Sequence, residues 1–245
     1  MLHSLFISDL HLSAKQPLST QVFLRFMQYL APKAEALYVL GDLFESWAGD
    51  DDLDDPFHQH ITHALRTLSA GGTRLFIMHG NRDFLMTEKL ASACQATLLP
   101  DPTLLNLYGT PTLLTHGDIL CTGDAAYQDY RSQVHDPAWQ QQFLSQPLAQ
   151  RKAFIEQLRA RSEDEKQHKS SKLMDVSDAA VSDLLREHCY PRLIHGHTHR
   201  LNRHLHTVDG HACERWVLGE WHEAGHALRC GTSGCEYLTV TLPDR

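Results

Sequence analysis

Closely spaced cysteine pairs of the Cys-x-x-Cys type are missing from this sequence of 245 residues. The six cysteines stand at positions 94, 121, 189, 213, 230 and 235, and no two of them form a Cys-x-x-Cys pair. That scatter argues against a disulfide framework, so we expect buried free thiols in a reducing compartment. Cys230, Cys235 and His226 are poorly spaced for zinc, and we expect core packing there.

Long apolar runs and an excess of basic residues are also missing. No segment approaches the roughly 18 uncharged apolar residues that a membrane-spanning helix requires. The first residues read as a strand that runs into Asp9, so we expect no signal peptide. The formal net charge of -8 disfavours a dedicated nucleic-acid binder, because an acidic surface repels phosphate backbones. With 42% hydrophobic and 21% charged residues, the composition predicts a globular protein, and we expect it in the cytoplasm.

Short apolar runs, each stopped by turn residues, predict five buried strands at 5–8, 36–40, 74–79, 112–115 and 192–195. Amphipathic patterns between the first three predict helices over 20–30, behind a Ser/Thr cap, and over 57–68, ending at Gly71. The alternation of strand and helix predicts an α/β core with parallel strands.

Residues 124–188 depart from the alternation of strand and helix and contain four helical patterns, at 127–134, 137–144, 147–161 and 177–188. We expect them to form a helical insertion within a single domain over 1–245, covering the functional site as a lid. An extra helical layer packed on the sheet is the alternative. Short β patterns at 215–218, 227–230 and 237–242 predict a second, antiparallel sheet.

Oxygen and nitrogen ligands follow each of the five predicted strands. They are Asp9, His11, Asp42, Asn81, His116, His197 and His199. Ligands of an open α/β sheet bind outside the carboxyl ends of its strands, so these side chains are expected to converge on one crevice. The spacing of two residues in Asp9–His11 and in His197–His199 points each pair to one side of an extended chain. A single histidine is more often a core residue, but candidate ligands at the ends of five successive strands together predict one site.

The residue types predict a two-metal centre that hydrolyses a phosphate ester or anhydride. Two divalent ions would generate the attacking hydroxide and clamp the phosphoryl oxygens, and Asp42 is our choice for the bridging carboxylate. Oxygen and nitrogen ligands without a thiolate favour Mn²⁺, Fe or Zn²⁺ over Ca²⁺ or Mg²⁺. Arg82 is placed to bind a phosphate oxygen, the alternative being a salt bridge with Asp83 or Glu45.

Five motifs together resemble those of the calcineurin-like metallophosphoesterase superfamily. They are Asp9-x-His11, Gly41-Asp42-x-x-Glu45, Gly80-Asn81-Arg82-Asp83, His116-Gly117-Asp118 and Gly196-His197-Thr198-His199. The stretches 41–51, 116–122, 174–176 and 218–222 narrow the resemblance to the UDP-2,3-diacylglucosamine pyrophosphohydrolases of Gram-negative bacteria, over essentially the whole chain. Other two-metal phosphodiesterases or nucleotide pyrophosphatases of this fold are the alternative, and a metal-free binding module is disfavoured by the complete ligand set.

The resemblance implies a four-layer α/β sandwich, two mixed sheets flanked by helices, with two Mn²⁺ ions. It also implies that water activated by the two metals attacks the α-phosphorus of UDP-2,3-diacylglucosamine. The products would be UMP and 2,3-diacylglucosamine 1-phosphate (lipid X), a step in lipid A biosynthesis. A peripheral location on the cytoplasmic face of the inner membrane would follow, and no required protein partner is evident.

Residue roles carry over from the resemblance by motif. One metal would be held by Asp9, His11, Asp42 and His199, and the other by Asp42, Asn81, His116 and His197. The catalytic residues would be Asp42, Asn81, Arg82, His116 and His197. Substrate contacts would fall on Asn81, Arg82, Asp124, Ser162, Lys166, Lys169 and His197. At position 166 this chain has lysine where the family is expected to have asparagine.

The insertion has a composition that suits a lipid with a diphosphate headgroup. Seven apolar residues could line a slot for two acyl chains, the alternative being that they are the insertion's own core. They are Trp139, Phe143, Leu144, Leu148, Phe154, Ile155 and Leu158. Seven basic residues suit a diphosphate or an anionic bilayer, the alternative being a solvated helix face. They are Arg151, Lys152, Arg159, Arg161, Lys166, Lys169 and Lys172.

Overall fold

The computed structural model describes residues 2–168 and 175–243, and their strands form two sheets. The six-stranded sheet contains β1 (His3–Ile7), β2 (Ala36–Leu40), β3 (Arg74–Met78), β4 (Thr97–Leu99), β10 (Ala224–Gly231) and β11 (Gly234–Thr241), in the order β11-β10-β1-β2-β3-β4. The five-stranded sheet contains β5 (Thr103–Leu107), β6 (Thr110–Thr115), β7 (Arg192–His195), β8 (Asn202–Val208) and β9 (His211–Val217), in the order β5-β6-β7-β9-β8.

Parallel pairing holds the centre of both sheets, as the sequence predicted. Strands β1 to β4 are parallel neighbours, and so are β6, β7 and β9, while β5, β8, β10 and β11 pair antiparallel with their neighbours. The two sheets pack face to face through a buried cluster that includes Phe6 and Tyr38 from one sheet and Leu114 and Ile194 from the other. The carboxyl ends of the central strands therefore meet at one edge of the sandwich.

The described residues form seven α-helices, some of which cover the outer faces of the two sheets. They are α1 (Pro17–Tyr29), α2 (Pro56–Ala70), α3 (Glu88–Cys94), α4 (Ala125–Val134), α5 (Pro137–Leu144), α6 (Leu148–His168) and α7 (Asp178–Glu187). Phe23 and Phe26 of α1 and Leu65 of α2 belong to the core against the six-stranded sheet. Val181 and Leu185 of α7 pack on the other sheet, so the predicted four-layer α/β sandwich is confirmed.

Two local predictions are wrong in their details. The first helix begins at Pro17, behind Gln16 and without a side-chain cap, because proline is favoured in the first turn; Ser19 and Thr20 lie inside the helix. The C-terminal strands do not form a sheet of their own. Instead β9 joins β7 in parallel, and the β10–β11 hairpin extends the six-stranded sheet antiparallel to β1.

The expectation that all six cysteines are free thiols is also wrong. Cys230 and Cys235 are directly opposite each other in the β10–β11 hairpin and form a disulfide. The tight turn between the two strands brings these residues together, which a spacing of five in the sequence did not indicate. Three of the remaining cysteines, Cys94, Cys121 and Cys213, are buried as expected.

The predicted insertion contains four successive helices, α4 to α7, before the chain returns to β7. Its longest helix, α6, is anchored to the acidic stretch that follows β2. Arg151 is buried and binds both the Asp51 carboxylate and the Ala48 carbonyl, and Lys152 Nζ lies 2.6 Å from Asp52 Oδ1. Among the described residues, no helix combines the length and the apolar content needed to cross a bilayer.

Candidate metal centre and adjoining cavity

The ligand candidates lie in the loops at the carboxyl ends of the strands, and five of them have left-handed backbone conformations. The φ angles are 55° at Asp9, 48° at His11, 53° at Asp42, 67° at His197 and 59° at His199. This region costs a residue other than glycine of the order of 1–3 kcal/mol, and such residues cluster at functional sites. The surrounding structure holds them in place. For example, the His197 backbone N–H donates to Asp9 and the Arg82 N–H donates to Asp42.

One group of candidates consists of Asp9, His11 and His199. His199 Nε2 lies 3.4 Å from Asp9 Oδ1 and 3.4 Å from His11 Nε2. Their ligand atoms all lie within 4.8 Å of one another, close enough for one metal ion to contact all three. His11 Nε2 is also 3.8 Å from Asp42 Oδ2, which connects this group to the next.

The second group gathers around Asp42 and Asn81. His116 Nε2 lies 3.9 Å from Asp42 Oδ2 and 3.1 Å from Asn81 Oδ1. His197 Nδ1 lies 3.0 Å from the same Asn81 oxygen. Asp42 faces both groups, as a bridging carboxylate must. The structure therefore brings all seven sequence-predicted ligands together.

Acceptor oxygens outside the two groups lie close to the Nδ1 atoms of three of the imidazole rings. His116 Nδ1 lies 2.9 Å from the Leu40 carbonyl oxygen, and His199 Nδ1 lies 2.8 Å from Glu220 Oε2. His11 Nδ1 lies 3.1 Å from Glu45 Oε2. Each contact leaves the Nε2 atom facing the centre, the arrangement that metal-binding histidines usually have. The donor set thus fits divalent cations by composition, by convergence and by ring orientation.

Burial and charge shift the titration of these groups in opposite directions. Burial works against the charged form of His116, but the carboxylates of Asp42, Asp118 and Asp9 outweigh it and raise its pKa to about 9. Burial, helped by the charge of His116, lowers the pKa of His197 to about 4. The pKa of Asp9 lies far below its usual range, because its contact with His199 outweighs its burial. The buried Asp9 carboxylate therefore carries a negative charge that a bound cation would offset.

Asp83 supports the two loops that carry Asp42 and Asn81. It is fully buried and accepts backbone N–H bonds from Leu43 and Gly80, both at 2.8 Å. Gly80 is required by close packing, because a Cβ atom there would lie 2.2 Å from Asp42 Oδ1. The sequence alternative that Asp83 or Glu45 pairs with Arg82 is wrong, since Asp83 serves these backbone groups and Glu45 contacts Arg159 and His11.

A cavity of about 640 Å³ opens directly from the metal-site candidates and continues beneath the insertion. At its polar end lie His11, Asp42, Asn81, His197 and His199. Its apolar wall includes Trp139, Phe143, Phe154, Ile155 and Leu158, all from the insertion. Two other residues expected in an acyl slot, Leu144 and Leu148, are not among the lining residues. The cavity could therefore accept one molecule that carries both an anionic group and an apolar group.

The predicted substrate contacts can be compared with this cavity. Those that line it are Asn81, Arg82, Asp124, Ser162 and His197. Within the described part of the chain, no ion pair involves the Arg82 guanidinium, which leaves it available to a ligand. Lys166 lies in α6, but its side chain is not described, and Lys169 lies outside the described residues.

Three members of the basic cluster bind carboxylates within this chain, and a role for them in binding a diphosphate stays a prediction. Arg151, Lys152 and Arg159 bind carboxylates of this chain, on Asp51, Asp52 and Glu45. They fasten α6 to the core. The side chains of Arg161 and Lys166 are not described, and Lys169 and Lys172 lie outside the described residues.

The roles of three residues at the site were missed by sequence reasoning. Glu220 contacts His199 and lies within the stretch 218–222 that carries the resemblance, which was the available signal. Asp83 carries a support role through backbone contacts that no spacing reveals. Tyr127 stacks on His197 with ring centroids 5.9 Å apart and donates a hydrogen bond to Asp118 Oδ2. Helix α4 of the insertion therefore contacts a ligand candidate directly.

Known proteins resemble this chain over most of its length. Residues 2–201 match the family model described as calcineurin-like phosphoesterase. The chain is 53% identical to the UDP-2,3-diacylglucosamine hydrolase of Aromatoleum aromaticum, with 94% of each chain covered. Relatives of the same name from Cellvibrio japonicus and Stenotrophomonas maltophilia are 46% and 47% identical; the matches cover 95% and 97% of this chain, and 97% and 98% of theirs.

Proposed function

This chain belongs to the calcineurin-like phosphoesterase family, and from that premise we propose that it is a UDP-2,3-diacylglucosamine hydrolase. It cleaves the pyrophosphate bond of the substrate to give UMP and 2,3-diacylglucosamine 1-phosphate, a step in lipid A biosynthesis. Relatives called UDP-2,3-diacylglucosamine hydrolase are 45–53% identical over nearly the whole chain, in agreement with the resemblance of the motifs.

The single observation that carries the proposal is the continuity of the cavity. Metal-site candidates form one end and apolar residues of the insertion form the other. A nucleotide or a simple phosphodiester has no use for an apolar wall formed by Phe154, Ile155 and Leu158. A diacylated sugar nucleotide uses both ends, because its diphosphate and its acyl chains belong to one molecule.

Divalent metal use follows from the family and from the convergent donor groups. We propose two Mn²⁺ ions, one held by Asp9, His11, Asp42 and His199 and the other by Asp42, Asn81, His116 and His197. The absence of a thiolate among these ligands and the mixture of oxygen and nitrogen donors support this choice. When bound, such ions lower the pKa of water and offset the negative charge of phosphoryl oxygens.

The chain's own residues would bind and orient the diphosphate. The Arg82 guanidinium lines the cavity and can bind two oxygens of a phosphate through two parallel N–H bonds. The Asn81 side-chain oxygen faces His116 and His197, so its amide nitrogen is left to donate to the substrate. Asp124 and Ser162 line the cavity, and we propose that they contact the substrate along with Lys166, Lys169 and His197.

We also propose that the protein works at the cytoplasmic face of the inner membrane, because its substrate is a lipid. Phe154 and Tyr130 line the cavity and are 41% and 37% exposed, which supports access to the cavity from an apolar phase. No nucleic acid and no protein partner is required by this reaction.

The test is hydrolysis of UDP-2,3-diacylglucosamine by purified protein with Mn²⁺, beside UDP-N-acetylglucosamine and a chromogenic phosphodiester. We expect fast UMP release from the diacylated substrate and little reaction with the other two. Activity confined to the other substrates would reject the lipid assignment and favour a different two-metal phosphodiesterase of this fold.

A further inference from the structure

A chain of polar contacts joins the insertion to one of the proposed metal ligands. Arg159 of α6 binds the Glu45 carboxylate through one guanidinium nitrogen and the Glu45 carbonyl through another. The other oxygen of the same carboxylate, Oε2, lies 3.1 Å from His11 Nδ1. Glu45 thus contacts a helix that walls the cavity and a ring that faces the metal centre.

This contact chain is shielded from water. The side chains of His11, Glu45 and Arg159 are 10%, 24% and 18% exposed. Exposed ion pairs contribute little, whereas a pair shielded from solvent and held by two contacts fixes geometry more firmly. Arg159 therefore constrains where the Glu45 carboxylate lies.

The position of Glu45 matters because it determines what His11 does. The Nε2 atom of His11 lies 3.4 Å from His199 Nε2 and 3.8 Å from Asp42 Oδ2, at the centre of the first ligand group. Nδ1 is close to Glu45, but it is not aligned with the carboxylate for a hydrogen bond. A carboxylate on the far nitrogen of a ligating imidazole sets the orientation and basicity of that ring.

We propose that Arg159 is a positioning residue that acts through Glu45 on His11. The packing of α6 against Glu45, called here the seating of α6, is therefore coupled to metal binding at His11. The inference rests on the metal centre under the proposed function, and it adds a role for the insertion beyond walling the cavity. Other cations fasten the same helix without this effect. Lys152, for example, binds Asp52, and among the described residues no hydrogen bond or ion pair joins either of them to one of the seven ligand candidates.

Coupling of this kind acts in both directions. If seating of α6 favours the metal bound by His11, then that metal must favour the seated helix by the same factor. The proposal therefore predicts two effects that can be measured without substrate.

The first measurement is Mn²⁺ binding by calorimetry and chelator competition, for the wild type, Arg159→Ala, Arg159→Lys and Lys152→Ala. We expect Arg159→Ala to weaken one of two sites by about tenfold and to leave the other unchanged, the size typical of lost support behind a ligand. Arg159→Lys keeps the charge and should recover most of the affinity. Lys152→Ala is the matched control on the same helix and should bind both ions as the wild type does.

The second measurement is amide hydrogen exchange in 148–160 with and without Mn²⁺. We expect Mn²⁺ to slow exchange in the wild type and in Lys152→Ala, and to have little effect in Arg159→Ala. Glu45→Gln keeps the size of the side chain but removes its charge, and it should behave as Arg159→Ala does. It replaces Arg159→Ala in this test if that variant folds poorly.

Two results would overturn the proposal while leaving the proposed function standing. One is unchanged Mn²⁺ affinity in Arg159→Ala, and the other is an equal loss in Arg159→Ala and Lys152→Ala, which would mean that α6 needs only general anchoring. A wild-type protein that binds no divalent ion would instead reject the metal centre itself, and this inference with it.

Discussion

Asp42 is the residue at which the two ligand groups meet. Its Oδ2 atom lies 3.8 Å from His11 Nε2 and 3.9 Å from His116 Nε2, one ring from each group. Its neighbours are fixed by contacts that the sequence could not show, above all the backbone N–H bonds to Asp83. The ligands themselves were predictable because each follows an apolar strand. Their supporting residues were not, because support depends on contacts between distant segments.

We predict that Asp42→Ala loses bound metal and activity together, because the carboxylate that faces both groups is gone. Loss of metal removes several kcal/mol of transition-state stabilisation, so kcat/KM should fall by about 10³-fold or more. Metal analysis beside the hydrolysis assay checks this. Full activity in the variant would mean that the site is assigned to the wrong residues.

Arg82→Ala should separate substrate binding from metal binding. The guanidinium lines the cavity and forms no ion pair among the described residues, so its loss removes charged hydrogen bonds to phosphate alone. We expect kcat/KM to fall by about 10–100-fold while the Mn²⁺ content stays normal. Loss of metal in this variant would instead give Arg82 a structural role.

The insertion shows what helical patterns can predict and what they cannot. The bounds of α5, Pro137–Leu144, agree with the predicted helix, and those of α4 and α7 agree to within two residues. The partners of the basic residues on α6 were not predictable, because Asp51, Asp52 and Glu45 lie about a hundred positions away. The C-terminal strands were misassigned for a related reason: an apolar pattern identifies a strand but not the sheet it joins.

At the scale of this element, we predict that Ile155→Asp impairs lipid substrates selectively. Ile155 lies on the apolar wall, and an unpaired carboxylate there opposes burial of an acyl chain. The KM for UDP-2,3-diacylglucosamine should rise by about tenfold or more, since an unpaired polar group costs several kcal/mol. Hydrolysis of a chromogenic phosphodiester should stay within about twofold of wild type.

The matched control is Glu156→Ala, at the next position of the same helix. Glu156 is 77% exposed and forms an ion pair with the exposed Lys15, so this change should leave both reactions unaltered. Equal loss of both reactions in Ile155→Asp would point to misfolding of α6 instead of a lipid site.

At the scale of the whole molecule, the proposed metals join segments that are distant in sequence. His11 and His199, for example, are separated by 188 positions but lie side by side in the fold. The α/β core, the parallel pairing and the strand-end ligands could be predicted from local patterns. The edge hairpin, its disulfide and the contacts of Glu220 could not, because they depend on which strands become neighbours.

Because the metals bind groups assembled only in the folded protein, Mn²⁺ should raise the thermal midpoint. A single site at 100 times its Kd contributes about 2.7 kcal/mol, which corresponds to a rise of roughly 5–10 °C for a chain of this length. Differential scanning calorimetry with Mn²⁺ and after chelation measures the shift. Asp42→Ala should show almost none; a shift of wild-type size in that variant would place the bound metal elsewhere.

The central claim is that this chain cleaves the diphosphate of a diacylated sugar nucleotide by attack at the α-phosphorus. The most direct test is complete turnover of UDP-2,3-diacylglucosamine with Mn²⁺ in ¹⁸O-labelled water, followed by mass spectrometry of both products. We predict one labelled oxygen in UMP and none in 2,3-diacylglucosamine 1-phosphate. Label in the lipid product, or no release of UMP at all, would contradict the account.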